Sequence, residues 1–378
     1  MAISESAVAD ATILALEQIN AGGGLLGREL EIIVADGQSD PDRFAAEAAR
    51  LIDEEKVSVI FGCWTSASRK AVVPAVELRD HILFYPVQYE GIEQSPNVIY
   101  TGATPNQQVM PAVSYALKHF GKRVFLVGSD YIFPRTANAI IRDQVHALGG
   151  EVVGEEYLPL GGTDVAPIVR EITATKPDVI LNTVNGDSNI AFFHALREAG
   201  ITPADIPTIS FSIGETELAH MDAAGIAGDY AAWNYFQSID NPQNRDFLTA
   251  FRGRFGADRV VSDPLEAAWF GVHLWAQAVR RAGSADPDKV LQAIKGEGMR
   301  APEGLVYVDE RNQHTWKHAR IGRIRDDGQF DIVWASDKPV RPIPFPPFRS
   351  RDEWERMQRK WVETWGGKWV NPGTETEP

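Results

Sequence analysis

"VSVIFGCWTSASRKAVVPAVELRDHILFYPV", residues 57–87, decides the fold. Two short apolar runs, "VSVIFG" at 57–62 and "ILFYPV" at 82–87, flank a helical stretch, "SRKAVVPAVELRD" at 68–80, with Pro74 inside it. Short runs rich in β-branched and aromatic residues, bounded by turn signals, read as buried strands. A strand, a helix and a second strand in that order make a parallel crossover unit.

The alternation continues outward. Upstream, "LEIIVAD" (30–36) reads as a strand and 41–55 as a helix. Downstream, strands are expected at 97–102, 123–130, 151–160, 178–184, 208–213 and 229–236. Helices are expected between them at 106–121, 136–150, 165–176 and 188–200. One open sheet does not hold this many strands comfortably. The expectation is an α/β protein with two doubly wound parallel-sheet lobes.

The ends of the chain depart from this rhythm. Residues 1–24 read as an amphipathic helix that starts near Ser4 or Ser6. Ala7, Ala11, Leu14 and Leu16 to Ile19 share one face, and Gly22 to Gly24 stop it. "GGGLLG" (22–27) has the glycine spacing of a dinucleotide fingerprint. That fingerprint needs a strand before it and a helix after it, and here the order is reversed, so the glycines read as a helix stop and a turn. After residue 240 two helices follow each other. Around "DDGQ" (326–329), Ile321, Ile324, Phe330, Ile332 and Trp334 alternate as in a β-hairpin. From 339 the tail is proline-rich, with a short helix at 351–365.

Composition narrows the function. The chain has 378 residues, 44% hydrophobic and 24% charged, with a formal net charge of −15. That charge argues against nucleic acid and against anionic membrane surfaces, which call for clustered Lys and Arg. No apolar run reaches the roughly 20 residues of a membrane span. A single cysteine, Cys63, cannot form an intramolecular disulfide.

Cys63 lies in "FGCWTSASRK" (61–70), which could be a nucleophile turn or a binding wall. A nucleophile elbow has a glycine after the hydroxyl residue, and it is missing here. The binding reading is simpler. A helix begins near Ser66 or Ser68, and its free N–H groups, with the Thr65 and Ser66 hydroxyls, can donate to a carbonyl oxygen or carboxylate. Trp64 adds an apolar wall, and Cys63 packs as a small hydrophobe.

Five more turns follow strand ends in "FYPVQYEG" (84–91), "GSDYIFPR" (128–135), "TVNGDSN" (183–189), "SFSIGETE" (210–217) and "AWNYFQS" (232–238). In open α/β sheets ligands bind in the crevice beyond these carboxyl ends. Gly186, Ser212 and Glu215 are candidate ligand contacts on that ground. "HTWKH" (314–318) places two histidines four apart. It reads as loop and strand rather than helix, so no metal is expected there.

Several of these stretches together resemble a known family. "FGCWTSASRKAVVPAVE", "LFYPVQYEGIEQSPNVIYTGATPNQQ", "GSDYIFPRTAN", "VNGDSN" and "DGQFDIVW" resemble the urea and short-chain-amide branch of the type I periplasmic binding proteins. That branch includes the substrate-binding subunits of urea ABC transporters and the amide sensor of amidase operons. The resemblance implies two lobes joined by three crossover segments, with residues 1–104 and 238–318 in lobe 1 and 105–237 and 319–340 in lobe 2. Residues 341–378 form an extended proline-rich tail with a short helix. It implies a cleft lined by Trp64, Thr65, Ser66, Tyr85, Val87, Gln88, Tyr131 and Asn185, closing on urea or a short aliphatic amide. It implies no catalysis and no cofactor.

The partners it implies are ABC permease subunits, with a regulator protein as the alternative if the chain is a cytoplasmic sensor. An amide hydrolase is the competing reading from another class. The implied compartment is the periplasm, although residues 1–24 do not read as an export signal. The family begins with a strand leading into a loop like "MAISE", where this sequence starts. The expectation is therefore that an in-frame apolar strand is encoded upstream of Met1, and that the chain as written is poorly stable.

Overall fold

A computed structural model describes residues 2–373. Two sheets organise the chain. The first is parallel, with strands Ile60–Phe61, Leu83–Tyr85 and Val98–Tyr100 side by side in that order. The second has seven strands. Their spatial order is Phe330–Ala335, Arg320–Ile324, Tyr230–Trp233, Thr208–Ser210, Val179–Thr183, Arg123–Ser129 and Glu151–Leu158. The last five run parallel, and the first two add an antiparallel hairpin at one edge. We call the bodies built on these sheets lobe 1 and lobe 2.

Burial explains why the sequence reads as it does. The strands Leu83–Tyr85, Val98–Tyr100 and Val179–Thr183 are buried throughout, as parallel strands covered by helices on both faces must be. Lobe 1 is covered by the helices Ala2–Ala21, Pro41–Asp53, Ser66–Glu77 and Asp263–Ala282. Ala7, Ala11, Leu14, Leu16 and Ile19 of the first helix are all buried, the face expected from their spacing. The glycines after it form a tight turn in which Gly23, Gly24 and Gly27 have positive φ. A small antiparallel sheet of Thr315–Trp316, Gly304–Val308 and Gly298–Ala301 adds Val306 and Val308 to the same core.

The chain passes between the sheets three times. It leaves lobe 1 after Val98–Tyr100, returns after Tyr230–Trp233, and enters lobe 2 again between Thr315–Trp316 and Arg320–Ile324. This is the two-lobed α/β architecture expected from the alternation.

Three local expectations need correction. Residues 30–36 are not a strand, because no strand lies beside them in the described chain. Asn20 holds Leu30 through both of its backbone groups, and Val34 is 69% exposed. Alternation alone makes no strand without a ladder partner. For a similar reason the strand expected at 57–62 shrinks to Ile60–Phe61, which is paired on one side only. In the hairpin, a register shift between Ile321 and Gly322 lets Ile321 and Ile324, three apart, both face the core. Ile332 across the turn is exposed.

Candidate functional site

The first face of the site grows from the end of strand Ile60–Phe61. Gly62 and Cys63 turn the chain, with Cys63 at φ +64°. Thr65 caps the helix Ser66–Glu77, its Oγ1 accepting from the Ser68 amide at 3.0 Å. The helix start therefore falls where the sequence placed it. The hydroxyls, however, already have partners within the chain. Ser66 Oγ donates to the Glu90 carboxylate and accepts from Arg69 Nη1 at 3.0 Å. Thr65 Oγ1 serves the cap.

Behind Ser66 lies a compact ion cluster. Arg69 and Glu90 are both fully buried and pair at 3.1 Å. Arg69 Nε also donates to Glu93 at 2.8 Å, and Lys70 reaches Glu93 at 3.1 Å. Two cations thus meet two carboxylates. The Arg69 guanidinium lies over the rings of Tyr85 and Tyr89, at 4.7 and 4.5 Å from their centroids. Burial works against its charge, but Glu93 and Glu90 outweigh burial and hold it firmly protonated. Burial also opposes the charge of Glu93, yet Arg69 and Lys70 pull its carboxyl down to about 2. Burial pushes the Cys63 thiol up to about 12, in keeping with a packing role.

The loop after strand Leu83–Tyr85 completes this face. Tyr85 OH donates to the Trp64 carbonyl at 2.8 Å. Val87 and Gln88 pass so close to Gly102 that a Cβ there would lie 2.0 Å from the Val87 carbonyl oxygen.

The opposing face belongs to lobe 2. Tyr131 begins the helix Ile132–Ala147. Its hydroxyl donates to Asn185 Oδ1 at 3.0 Å, and Asn185 Nδ2 donates to Ser212 Oγ at 2.8 Å. The Asn185 amide is held by Ser129 Oγ, and Gly186 beside it turns at φ +66°. The two faces touch. Gln88 Nε2 donates to the Phe211 carbonyl at 3.0 Å, and Ala67 packs in one cluster with Tyr131 and Ile132. Trp64, Ser66, Tyr85, Val87, Gln88, Tyr131, Asn185, Ser212 and Glu215 are all buried, so the cleft is closed.

Glu215, three residues after Ser212, also reaches a crossover segment. Its Oε1 accepts from the Gln237 amide at 2.6 Å, and its Oε2 has no hydrogen-bond partner. Nearby, Asp263 Oδ2 accepts from the amides of Asn234 and Tyr235, and Lys317 sits 3.4 Å from Glu303 and 3.9 Å from Asp263. Glu266 accepts from the Glu303 amide at 3.1 Å. Burial raises Glu215 to about 8 and Glu303 to about 7, and it raises Glu266 as well. The crossovers are thus joined by carboxyls that tend to keep their protons.

The histidines of "HTWKH" have separate surroundings. His314 stacks on Tyr100 at 4.1 Å and meets the Tyr89 hydroxyl, and burial pushes it down to about 3. His318 faces the Ser336 carbonyl. No group of metal-ligating side chains occurs among the described residues. A surface groove of about 380 Å³, lined in part by Met110, Tyr115 and Trp334, shares no residue with the candidate cleft.

Sequence reasoning brought together the Trp64–Ser66, Tyr85–Gln88, Tyr131, Asn185 and Ser212 positions, but it passed over Arg69, Lys70 and Glu93. The signal was present as adjacent bases in "SRK" and acids three apart in "EGIE". Such charges on a helix or loop ordinarily face water, so nothing local marked them as buried.

Residues 1–351 match the periplasmic binding protein domain family. The chain belongs to that family. Its members are substrate-binding proteins, not enzymes. The Leu/Ile/Val-binding protein homolog 6 of Brucella melitensis is 26% identical over 311 residues, 80% of this chain and 79% of that protein. A stretch of 118 residues is 36% identical to limonene hydroxylase of Geobacillus stearothermophilus, but it spans 31% of this chain and 22% of that protein.

Among solved structures, an ABC transporter solute-binding protein of R. palustris in complex with 4-hydroxybenzoate superposes with a TM-score of 0.80. It is 24% identical, covering 88% of this chain and 94% of that one. The branched-chain amino acid binding protein LivJ of Streptococcus pneumoniae, in complex with isoleucine, superposes at 0.76 with 21% identity, covering 89% and 94%. Both likenesses speak for the fold. The ligands of these neighbours are amino acids and aromatic acids.

Proposed function

We propose that this chain captures urea or a short aliphatic amide in the closed cleft, as the solute-binding component of an ABC transporter in the periplasm. Its partners on this reading are the transporter's permease subunits. The ligand contacts are those of the two facing walls: Trp64, Thr65, Ser66, Tyr85, Val87 and Gln88 from lobe 1, and Tyr131, Asn185, Gly186, Ser212 and Glu215 from lobe 2. The lobes divide at 1–104 with 238–318 and 105–237 with 319–340.

One observation carries the choice of ligand. Arg69, the cation directly behind Ser66, is fully committed to Glu90 and Glu93. A carboxylate ligand, like those of the neighbours, would need positive charge at this wall and would instead meet an already neutral cluster. An uncharged amide needs only hydrogen bonds. The Tyr131–Asn185–Ser212 chain and the Gln88 side chain supply alternating donors and acceptors. Trp64, Tyr85 and Tyr131 give apolar walls around a small solute.

Titration calorimetry with urea, acetamide, propionamide, leucine and 4-hydroxybenzoate tests the reading. Heat is expected from the amides and none from the two carboxylates. Binding of leucine or 4-hydroxybenzoate, with no response to any amide, overturns it.

A further inference from the structure

The C-terminal segment is fastened to lobe 2. Arg349 grips Asp143 with two hydrogen bonds of 2.6 and 2.8 Å. Trp354 of the helix Arg351–Thr364 is fully buried, and Gln358 donates to Thr136 Oγ1. Gly366 and Gly367, at φ +65° and +85°, then reverse the chain. The returning segment lies along the start of the lobe 2 helix, with an isolated antiparallel bridge between Val370 and Tyr131. Ile132 N donates to the Trp369 carbonyl at 3.0 Å, Asn371 N to the Asp130 carbonyl at 3.1 Å, and Asn371 Nδ2 to the Asp130 carboxylate at 2.7 Å.

The other edge of the segment meets lobe 1. The Lys70 ammonium sits 5.0 Å from the centre of the Trp369 ring. Trp365 is buried in one cluster with Ala67, Tyr131 and Ile132. Ala67 and Lys70 belong to the opening turns of the helix Ser66–Glu77, which forms the lobe 1 wall of the cleft. A strap anchored on one lobe therefore reaches across the cleft edge to the other.

We propose that residues 365–371 act as a latch that favours the closed state and slows exchange through the cleft. Opening moves Ser66–Glu77 away from Ile132–Ala147. It must separate Lys70 from Trp369 and strip Ala67 from the Trp365 cluster, while the bonds to Asp130 and Ile132 stay intact. Contacts made only when the lobes are closed shift the open–closed equilibrium toward closure without any ligand. Lys70 also pairs with Glu93, so the latch ties into the ion cluster behind Ser66. The inference needs the two lobes and not the identity of the solute.

The test uses ligand-free protein, so its failure is separate from any failure of the amide reading. Small-angle scattering and amide hydrogen exchange are compared for the full chain, a chain lacking residues 366–378, and Trp369→Ala. Both variants are expected to have a larger radius of gyration. Exchange at residues 66–70 should be roughly tenfold faster, the mark of a lower local opening energy. If the deletion destabilises the whole fold, Trp369→Ala decides, because the anchors on Asp143, Asp130 and Ile132 remain in it. A Trp369→Ala protein with the scattering and exchange of the full chain overturns the latch.

Discussion

Arg69 and Glu90 form an ion pair of 3.1 Å with neither side chain exposed to solvent, and the hydroxyl of Ser66 bonds to both. The pair ties the wall of the cleft to the loop that follows strand Leu83–Tyr85. A buried pair like this adds little net stability over an apolar substitute, but breaking it leaves an uncompensated charge.

Glu90→Gln should therefore destabilise the protein by about 3 kcal/mol, the lower end of the usual range, because Glu93 still holds Arg69. The guanidinium chloride unfolding midpoint reads this directly. The same variant leaves one positive charge unbalanced behind Ser66, so it should gain affinity for acetate or 4-hydroxybenzoate. An unchanged midpoint would mean that Arg69 does not depend on Glu90.

Ser66→Ala removes a partner from a buried carboxylate and from a buried guanidinium at once. A stability loss of about 1–3 kcal/mol is expected, together with weaker binding of acetamide. Chemical denaturation and calorimetry on the same preparation separate the two effects. Weaker binding without any change in stability would place the hydroxyl against the solute rather than against Glu90.

Stability should fall as pH rises. Glu215, Glu303 and Glu266 hold their protons more tightly folded than unfolded. From the ordinary carboxyl value of 4.5 up to about 8, these carboxyls bind more protons in the native chain than in the unfolded one, so through them each pH step favours unfolding. Buried His314 and His273, held low, act the other way only up to about their ordinary value of 6.5. The unfolding midpoint at pH 9 should lie below that at pH 6. Glu215→Gln keeps an oxygen for the Gln237 amide and should flatten the slope. A midpoint that stays level from pH 6 to 9 would refute proton retention at the crossovers.

Gly102→Ala should disturb the cleft from behind. The new Cβ would lie 2.0 Å from the Val87 carbonyl oxygen, and a backbone atom cannot swing aside. A cost of about 1–3 kcal/mol is expected, with loss of the Gln88–Phe211 bond between the lobes. Thermal unfolding checks the first part, and faster amide exchange in 85–89 checks the second.

Much of this protein was decided locally. The alternation of short buried runs with helical stretches, the helix start near Ser66, the glycine stop after Ala21 and the turn at Gly328 depend on neighbouring residues and their backbone preferences. Those features survive in any context that lets the chain fold, so they are legible in one dimension.

Three matters were decided only by the tertiary structure. Residues 30–36 alternate like a strand, but pairing needs a neighbour, and none stands beside them in the described chain. Arg69, Lys70 and Glu93 look like surface charges until helix Ser66–Glu77 and the loop after Tyr85 bring opposite signs into one dry place. Trp369 lies 299 positions after Lys70 in the sequence, yet its ring faces that ammonium. Sequence order carries no record of such contacts, because burial and charge pairing depend on what packing brings near, not on what is adjacent in the chain.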